Sequence, residues 1–177
     1  TYIPNTEPED PVFERGYKSF VAVCSIVKNF RSTRILQIST RPQPFWSVIC
    51  NEGELVEKFG IEVFPVTIQD VKDLTDELKE NPDVKIVTAR KRFEDSLMCG
   101  SMTDEQLMNS VRLYVAVKEL CRRYNCNSVA IHCWGPLQKA VNSATCTVNS
   151  LLTEEGIPVA CETDIHGAIT SIILQSA

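Results

Sequence analysis

The stretch SVAIHCWGPLQKAVNSATCTVNSLLTEEGIPVAC, residues 128–161, reads as a strand, a helix and a second strand. Its two ends, SVAIHC and IPVAC, are short continuous apolar runs, which is the pattern of strands buried on both faces of a parallel sheet. Between them, the loop WGPLQ leads into a helix predicted over 139–152, and Gly156 ends that segment. Parallel strands joined through a helix are the building unit of α/β proteins.

The rest of the chain continues this alternation of helices and apolar strands. Strands are predicted over 34–39 and 61–67, and helices over 13–30, 51–60, 67–79, 82–99, 103–124 and 167–177. Gly60 and Gly100 are expected to end helices, and Thr103 followed by Gln106 gives the signature of a capping box at a helix start. We therefore predict an α/β fold, a three-layer α/β/α sandwich with a mainly parallel, Rossmann-like sheet.

Domain organisation follows from the two ends of the chain. Residues 1–12 are rich in proline and acid and read as a linker or lead-in, and residues 13–177 read as a single α/β domain. The chain begins at Thr1 rather than Met, and its last predicted helix reaches Ala177 without a cap signal. We therefore expect the chain to be a fragment of a longer multidomain protein.

The composition of the chain argues against two classes of partner, nucleic acids and membranes. The 177 residues are 44% apolar and 23% charged, which is ordinary for a globular protein with a core, and the net charge is −5. No basic stripe is present, so we expect no nucleic-acid partner. Apolar runs such as 20–27 are too short to span a bilayer, so we expect no membrane span.

The eight cysteines do not have the spacing of a metal knuckle or a disulfide framework, since no CxxC pair occurs. Five of them lie in apolar helix or strand patterns and are predicted to be small buried residues: Cys24, Cys121, Cys133, Cys146 and Cys161. Unpaired buried thiols favour a reducing, cytoplasmic location.

Polar residues follow the two strands of the opening stretch. SVAIHC runs into Trp134, and IPVAC runs into Glu162, Asp164 and His166. If the two strands are neighbours, their ends face one crevice at the carboxyl edge of the sheet, where ligands of such sheets bind. Two carboxylates and an imidazole at that edge can hold a divalent cation such as Mn²⁺ or Mg²⁺.

Structural roles compete for the same residues. Thr163 or Asp164 can simply cap a helix that begins near His166, and Glu162 can favour the positive end of that helix. Trp134 can stack on a sugar ring or pack against the protein. Both interpretations stand at the level of the sequence.

Other catalytic signatures are weak or missing. His132 is predicted to be a core residue, and the adjacent Cys133 points to the opposite face of the strand, which discounts a Cys–His nucleophile. The chain contains no GxGxxG, GxxxxGK[ST] or GxSxG motif. Nucleotide binding and serine hydrolysis are therefore not indicated.

The segments AIHCWGPLQ, TCTVNSLL and EEGIPVACETDIHGAIT, with NEGELVEKFGIEVFPVTIQD upstream, resemble the L-fucose isomerase family, including its fucose isomerase-like members. The resemblance runs from about Arg34 to the end and is similar to that family's middle domain; L-arabinose isomerases are a more distant match. It implies a metal-dependent ketol isomerase that interconverts an aldose and a ketose through a cis-enediol. It also implies a monosaccharide substrate, Mn²⁺ as cofactor and a homo-oligomeric intact protein.

Site residues follow from the same resemblance. By position, Asp164 matches the acidic metal ligand at the end of the family's strand, and Glu162 is the next candidate, favoured if the arabinose isomerase pattern applies. Both residues are therefore candidate metal ligands and catalytic carboxylates. Trp134 is the candidate substrate-binding residue.

The chain departs from the family pattern at two points. From residue 133 to 153 there is no Asp or Glu where the family places its other catalytic carboxylate, and the chain has Gln138, Lys139 and Asn142 instead. The family's histidine ligand belongs to a carboxyl-terminal domain, so His166 is not assigned that role. We expect the fragment alone to be inactive. The alternative is a non-catalytic carbohydrate-binding or regulatory module with an isomerase-like fold.

Overall fold

A computed structural model gives the fold, and it describes residues 5–96 and 102–177. Within these residues, eight α-helices alternate with four strands, which confirms the predicted α/β class. In chain order the elements are α1 (Pro11–Arg31), β1 (Arg34–Ile38), α2 (Glu52–Phe59), β2 (Glu62–Val66), α3 (Ile68–Glu80), α4 (Val84–Ser96), α5 (Asp104–Tyr124), β3 (Ser128–Ile131), α6 (Pro136–Val141), α7 (Cys146–Glu154), β4 (Val159–Cys161) and α8 (Ile165–Ser176).

The four strands form one parallel sheet in the order β2-β1-β3-β4. Ile38 at the end of β1 pairs in register with Val66 of β2 and with Ile131 of β3, and Ile131 pairs with Cys161 of β4. All four strands therefore end at one edge. The strands before Trp134 and Glu162, β3 and β4, are neighbours, so the condition for a shared crevice at their carboxyl ends is met.

Helices cover both faces of the sheet because successive side chains of a strand point to opposite sides. On one face, Leu36 and Val129 belong to a core shared with α3, α4, α5, α6 and α7. On the other face, Ile35 and Ala130 pack with buried residues of α2 and α8. The arrangement is the three-layer sandwich expected from the sequence.

Two of the predicted helix starts carry complete capping boxes. Thr67 and Asp70 exchange side-chain and backbone hydrogen bonds at the start of α3, and Thr103 and Gln106 do the same at the start of α5. Gly60 ends α2 in the left-handed conformation with φ of 69°, where glycine has no Cβ clash. The Gly100 prediction lies outside the described residues.

The single helix predicted over 139–152 is wrong, since two helices occupy the segment. α6 begins inside the predicted loop because Pro136 suits the first helical turn. It ends at Asn142, whose φ of 48° is the left-handed conformation that asparagine tolerates. Smaller shifts are that β3 ends at Ile131, β4 begins at Val159, α8 begins at Ile165 and α1 begins at Pro11.

The prediction of buried cysteines holds for only part of the set. Cys121 and Cys133 are buried as expected, whereas Cys24, Cys146 and Cys161 are exposed. Cys161 ends the edge strand β4, and Cys146 is the first residue of α7, so neither position is covered. The cysteines within the described ranges are free thiols.

Helix α1 lies on the outside of the sandwich against α8. The Asn29 amide donates to the Ser176 hydroxyl at 2.9 Å, and the rings of Phe30 and Phe59 meet edge to face. α1 lies entirely within the described residues, and none of its side chains is fully buried there. Among the described helices, none combines the length and the apolar character needed to cross a bilayer.

Candidate active site

The carboxyl edge of the sheet carries three connections that meet there: residues 39–51 after β1, residues 132–135 after β3 and residues 162–164 after β4. Backbone hydrogen bonds join them to the strand ends. The His132 N–H donates to the Ile38 carbonyl at 3.1 Å, and the Thr163 N–H donates to the Ile131 carbonyl at 3.2 Å. The candidate residues therefore lie on connections anchored to the sheet.

The turn after β4 has an unusual backbone. Glu162 and Thr163 both lie in the left-handed region, with φ of 58° and 59°. Such a conformation is uncommon for residues other than glycine, and backbone strain of this kind concentrates at functional sites. The Asp164 N–H closes the turn on the Cys161 carbonyl at 3.2 Å.

The Glu162 carboxylate is held by two donors from the connection after β3. The Cys133 thiol donates to Oε1 at 2.9 Å, and the Trp134 indole Nε1–H donates to Oε2. The structure thus brings two of the predicted site residues, Glu162 and Trp134, into direct contact. A carboxylate has about four lone-pair sites, so these two bonds leave it able to accept a further proton.

Trp134 combines an anchored edge with an open ring. Its side chain is 46% exposed, and the ring meets Phe45 at 6.5 Å and His132 at 6.1 Å, both edge to face. The prediction of His132 as a core residue is wrong, because β3 ends one residue earlier and His132 is only partly buried. A half-exposed indole held in one orientation can stack on a sugar ring.

Asp164 is the N-cap of α8. Its Oδ1 accepts the Gly167 N–H at 2.8 Å, which confirms the capping role. A Cβ added at Gly167 would lie 2.6 Å from Asp164 Oδ2, so the glycine makes room for this carboxylate. Thr163 is not the cap, since its buried hydroxyl has no hydrogen-bond partner among the described residues.

The surroundings of Asp164 differ from those of Glu162. Burial raises the pKa of the Cys50 thiol, with further contributions from Glu52 and Asp164, so Asp164 acts electrostatically on the connection after β1. His166 is exposed on α8 and lines a groove of about 340 Å³ with residues of α2. Within residues 5–96 and 102–177, no three His, Cys, Asp or Glu side chains are arranged to hold a metal ion.

Sequence reasoning missed the polar cluster beneath Glu162. Burial, the Glu162 hydrogen bond and Cys161 together raise the pKa of the Cys133 thiol to about 12, so this thiol stays protonated and donates. Asn149 of α7 donates to the Cys161 sulfur at 3.5 Å. The sequence signal for Cys133 is its position just past the end of β3, beside the candidate residues. Its orientation opposite His132 argues against a Cys–His pair but not against a hydrogen bond to Glu162.

Arg41 orders the connection after β1 and was also missed. Its guanidinium donates to the backbone carbonyls of Pro42, Gln43 and Phe45 and lies 4.8 Å over the Trp46 ring. These bonds fix the loop that places Phe45 against Trp134. Nothing in the local sequence pattern indicates that arginine would bind its own loop.

A larger cavity, of about 590 Å³, lies away from this edge, between α4 and α5. It lies near Cys126 and Ile157, which precede β3 and β4, and therefore at the amino end of the sheet. Its charged side chains bind each other, as in the bond from Lys118 to Glu155 at 2.6 Å. Ligands of parallel sheets bind at the opposite, carboxyl edge, so the Glu162 region is the candidate site.

Comparison with known proteins links this architecture to sugar isomerases. No family model matches the chain. It is similar to the sulfoquinovose isomerase of Alkalicoccus urumqiensis, with 28% identity over 168 residues, 95% of this chain and 37% of that protein. The proteins of the same name from Priestia megaterium and Clostridium sp. (strain MSTE9) are 22% and 21% identical over 95% and 94% of the chain.

The similarity covers nearly the whole chain, including the candidate site. The chain spans little more than a third of the length of these relatives, 37% in each case. The name of these relatives is that of a sugar isomerase, and it does not single out fucose isomerase, the family that the sequence motifs resemble.

Proposed function

We propose that this chain forms part of an enzyme that interconverts an aldose and a ketose. The observation that carries the proposal is the similarity to sulfoquinovose isomerases over 95% of the chain. The carboxylate and the aromatic ring held together at the carboxyl edge of the sheet support it. Residues of this kind suit the recognition of a sugar and the transfer of a proton.

The proposed reaction moves one proton between neighbouring carbons. A base removes the proton from C2 of the aldose, the electrons form a cis-enediol, and the same proton or one from solvent is delivered to C1. The hydroxyl proton of O2 passes to O1, so no oxidant or reductant is consumed. A carboxylate at hydrogen-bonding distance can serve as this base and acid in turn.

Glu162 is the carboxylate proposed for the proton transfer. Its two oxygens are held in one orientation by hydrogen bonds from the Cys133 thiol and the Trp134 indole. The raised pKa of Cys133, about 12, keeps that thiol a donor rather than a competing anion. Trp134 is proposed to stack on the sugar and hold C1 and C2 near the carboxylate.

The proposed cofactor is Mn²⁺ or a related divalent cation. Asp164, through the oxygen that does not cap α8, and Glu162 would hold it, because carboxylate oxygens are ligands that such ions accept. When bound, the ion polarises the substrate carbonyl and stabilises negative charge on the enediol oxygens. Two carboxylates are fewer ligands than such an ion takes, so we propose that further ligands come from outside this chain and that residues 1–177 alone are inactive.

The experiment is an isomerase assay of the full-length protein with sulfoquinovose, L-fucose, D-arabinose and L-arabinose. It is run with added Mn²⁺ and after chelation, for the wild type and for Glu162→Gln. Glu105→Gln, an exposed acid at the start of α5, is the matched control. We expect one aldose to be converted, with loss of at least about 100-fold in Glu162→Gln. The control keeps wild-type activity. Absence of conversion for every sugar would refute the proposal.

A second function is supported by one observation, the absence of Asp and Glu from residue 133 to 153. A carbohydrate-binding or regulatory module would keep Trp134 and lose the second catalytic carboxylate. It predicts that the full-length protein binds one of the four sugars, measured by calorimetry, without converting it. The remaining proposals are a cytoplasmic location and a homo-oligomeric intact protein.

A further inference from the structure

Helix α1 carries a regular apolar stripe that the proposed activity does not use. Its members are spaced by four and three residues in turn: Phe13, Tyr17, Phe20, Cys24 and Val27. This is the 3.5-residue repeat by which one helix packs against another in a coiled coil. The repeat runs for two heptads within a 21-residue helix.

The stripe faces solvent. Tyr17 is 55% exposed and Phe20 is 48% exposed, and Cys24 and Val27 are exposed as well. The helix uses its other side to contact α8, through Asn29. One side of α1 therefore packs against α8, and the described residues leave the apolar stripe uncovered.

The residues that flank the stripe show which partner fits it. Val21 and Val23, both exposed, lie on either side of its centre. Glu14 and Lys28 are each seven residues from Val21 and therefore lie on its side of the stripe, at opposite ends of the helix. Residues seven apart keep the same position in the heptad.

We infer that α1 pairs with α1 of a second copy of this chain, antiparallel about a two-fold axis. In that arrangement Tyr17 packs against Val27 of the other copy and Phe20 against Cys24 of the other copy. Val21 then meets Val21, as an isologous two-fold interface requires. Glu14, which also binds Lys18 of its own helix at 2.6 Å, lies opposite Lys28 of the other copy, so two pairs of unlike charges flank the apolar seam.

A parallel pairing does not give this complementarity. With the two helices in the same direction, Glu14 and Lys28 lie at opposite ends of the pair, and Lys28 faces Val23 of the other copy. The antiparallel pairing matches valine with valine and acid with base along the same line. The charge pattern therefore favours the antiparallel arrangement.

The stripe supplies only part of the area that a stable interface needs. A half-exposed Tyr17 and Phe20 together offer roughly 200 Å² per copy, whereas a stable interface buries about 800 Å² per partner. This inference is independent of the proposed activity, because it uses no residue of the candidate site.

The first test is positional cross-linking of the full-length protein. In a background in which the exposed cysteines Cys24, Cys146 and Cys161 are replaced by serine, Val21→Cys is expected to form an intermolecular disulfide under mild oxidation, because the two-fold axis brings this residue against itself. The matched control is Val87→Cys, an equally apolar residue of α4 that is 68% exposed. Cross-linking of both variants alike, or of neither, would overturn the inference.

The second test measures self-association by analytical ultracentrifugation. Phe20→Glu is expected to raise the dissociation constant roughly 30-fold or more, while Val87→Glu leaves it unchanged. Glu14→Lys and Lys28→Glu should each raise it about threefold or more at low salt, and the double exchange should restore it. Self-association that is unaffected by Phe20→Glu, failure of the double exchange to restore it, or a monomeric wild type would show that another domain or partner covers α1.

Discussion

Substitution of Asp164 separates its two roles, the cap of α8 and the proposed metal ligand. Asp164→Ala removes the hydrogen bond from Gly167 N–H to Oδ1, and loss of an N-cap costs about 1 kcal/mol. It also removes a negative charge at the helix N-terminus, worth about 0.5 kcal/mol. Four side chains of α8 are buried in the core, so α8 cannot unfold without the rest of the domain. The free energy of global unfolding is therefore expected to fall by the full amount, about 1.5 kcal/mol. Asp164→Asn keeps the cap and loses only the charge, about 0.5 kcal/mol.

Urea unfolding of residues 1–177, followed by circular dichroism, measures the loss of stability when the cap is removed. Isomerase activity of the full-length protein measures the loss of the proposed metal ligand. We expect the free energy of unfolding to fall by about 1.5 kcal/mol in the alanine variant and by about 0.5 kcal/mol in the asparagine variant, while both lose activity. Equal destabilisation by the two variants would refute the capping energetics. Wild-type activity in Asp164→Asn would refute the ligand role.

Three further predictions follow from the structure. Gly167→Ala, which normally stabilises a helix by about 1 kcal/mol, is expected to lower the melting temperature here, because the new Cβ would lie 2.6 Å from Oδ2 of the capping Asp164 carboxylate. The Cys133 thiol, with its pKa raised to about 12, is expected to resist iodoacetamide at pH 8 while the exposed Cys146 is labelled, as mass spectrometry after digestion will show. A hydrogen bond from Arg122 lowers the pKa of Glu119 from 4.5 to about 2. Ionised Glu119 therefore stabilises the folded protein fully above pH 4.5, and this stabilisation is lost as the pH falls towards 2. The difference in unfolding free energy between the wild type and Glu119→Gln is expected to disappear over that range.

The fold class could be predicted from the sequence because each strand is a short apolar run and each helix has a local start or stop signal. Thr67 and Thr103 specify their helices through neighbours three residues away. The break between α6 and α7 could not be predicted in this way. Asn142 turns the chain through a left-handed conformation that asparagine adopts only in particular tertiary settings.

The candidate site was predicted in its location but not in its contacts. Glu162 meets Trp134 because two consecutive left-handed residues redirect the chain after β4, and no sequence pattern announces such a turn. The apolar stripe of α1 was equally visible in the sequence. Periodicity shows that a helix has an apolar face. It does not show whether that face packs against the same chain or against another one.

The Glu162 carboxylate is proposed to move a proton between C1 and C2 of a sugar. The most direct measurement is proton NMR of the full-length protein with its best aldose in D₂O, for the wild type and for Glu162→Gln. The wild type is expected to form the ketose, with deuterium at C1 in the fraction of turnovers in which the abstracted proton exchanges with solvent, whereas Glu162→Gln is expected to bind the sugar but to form no ketose. Formation of the ketose by Glu162→Gln at the wild-type rate would contradict the account.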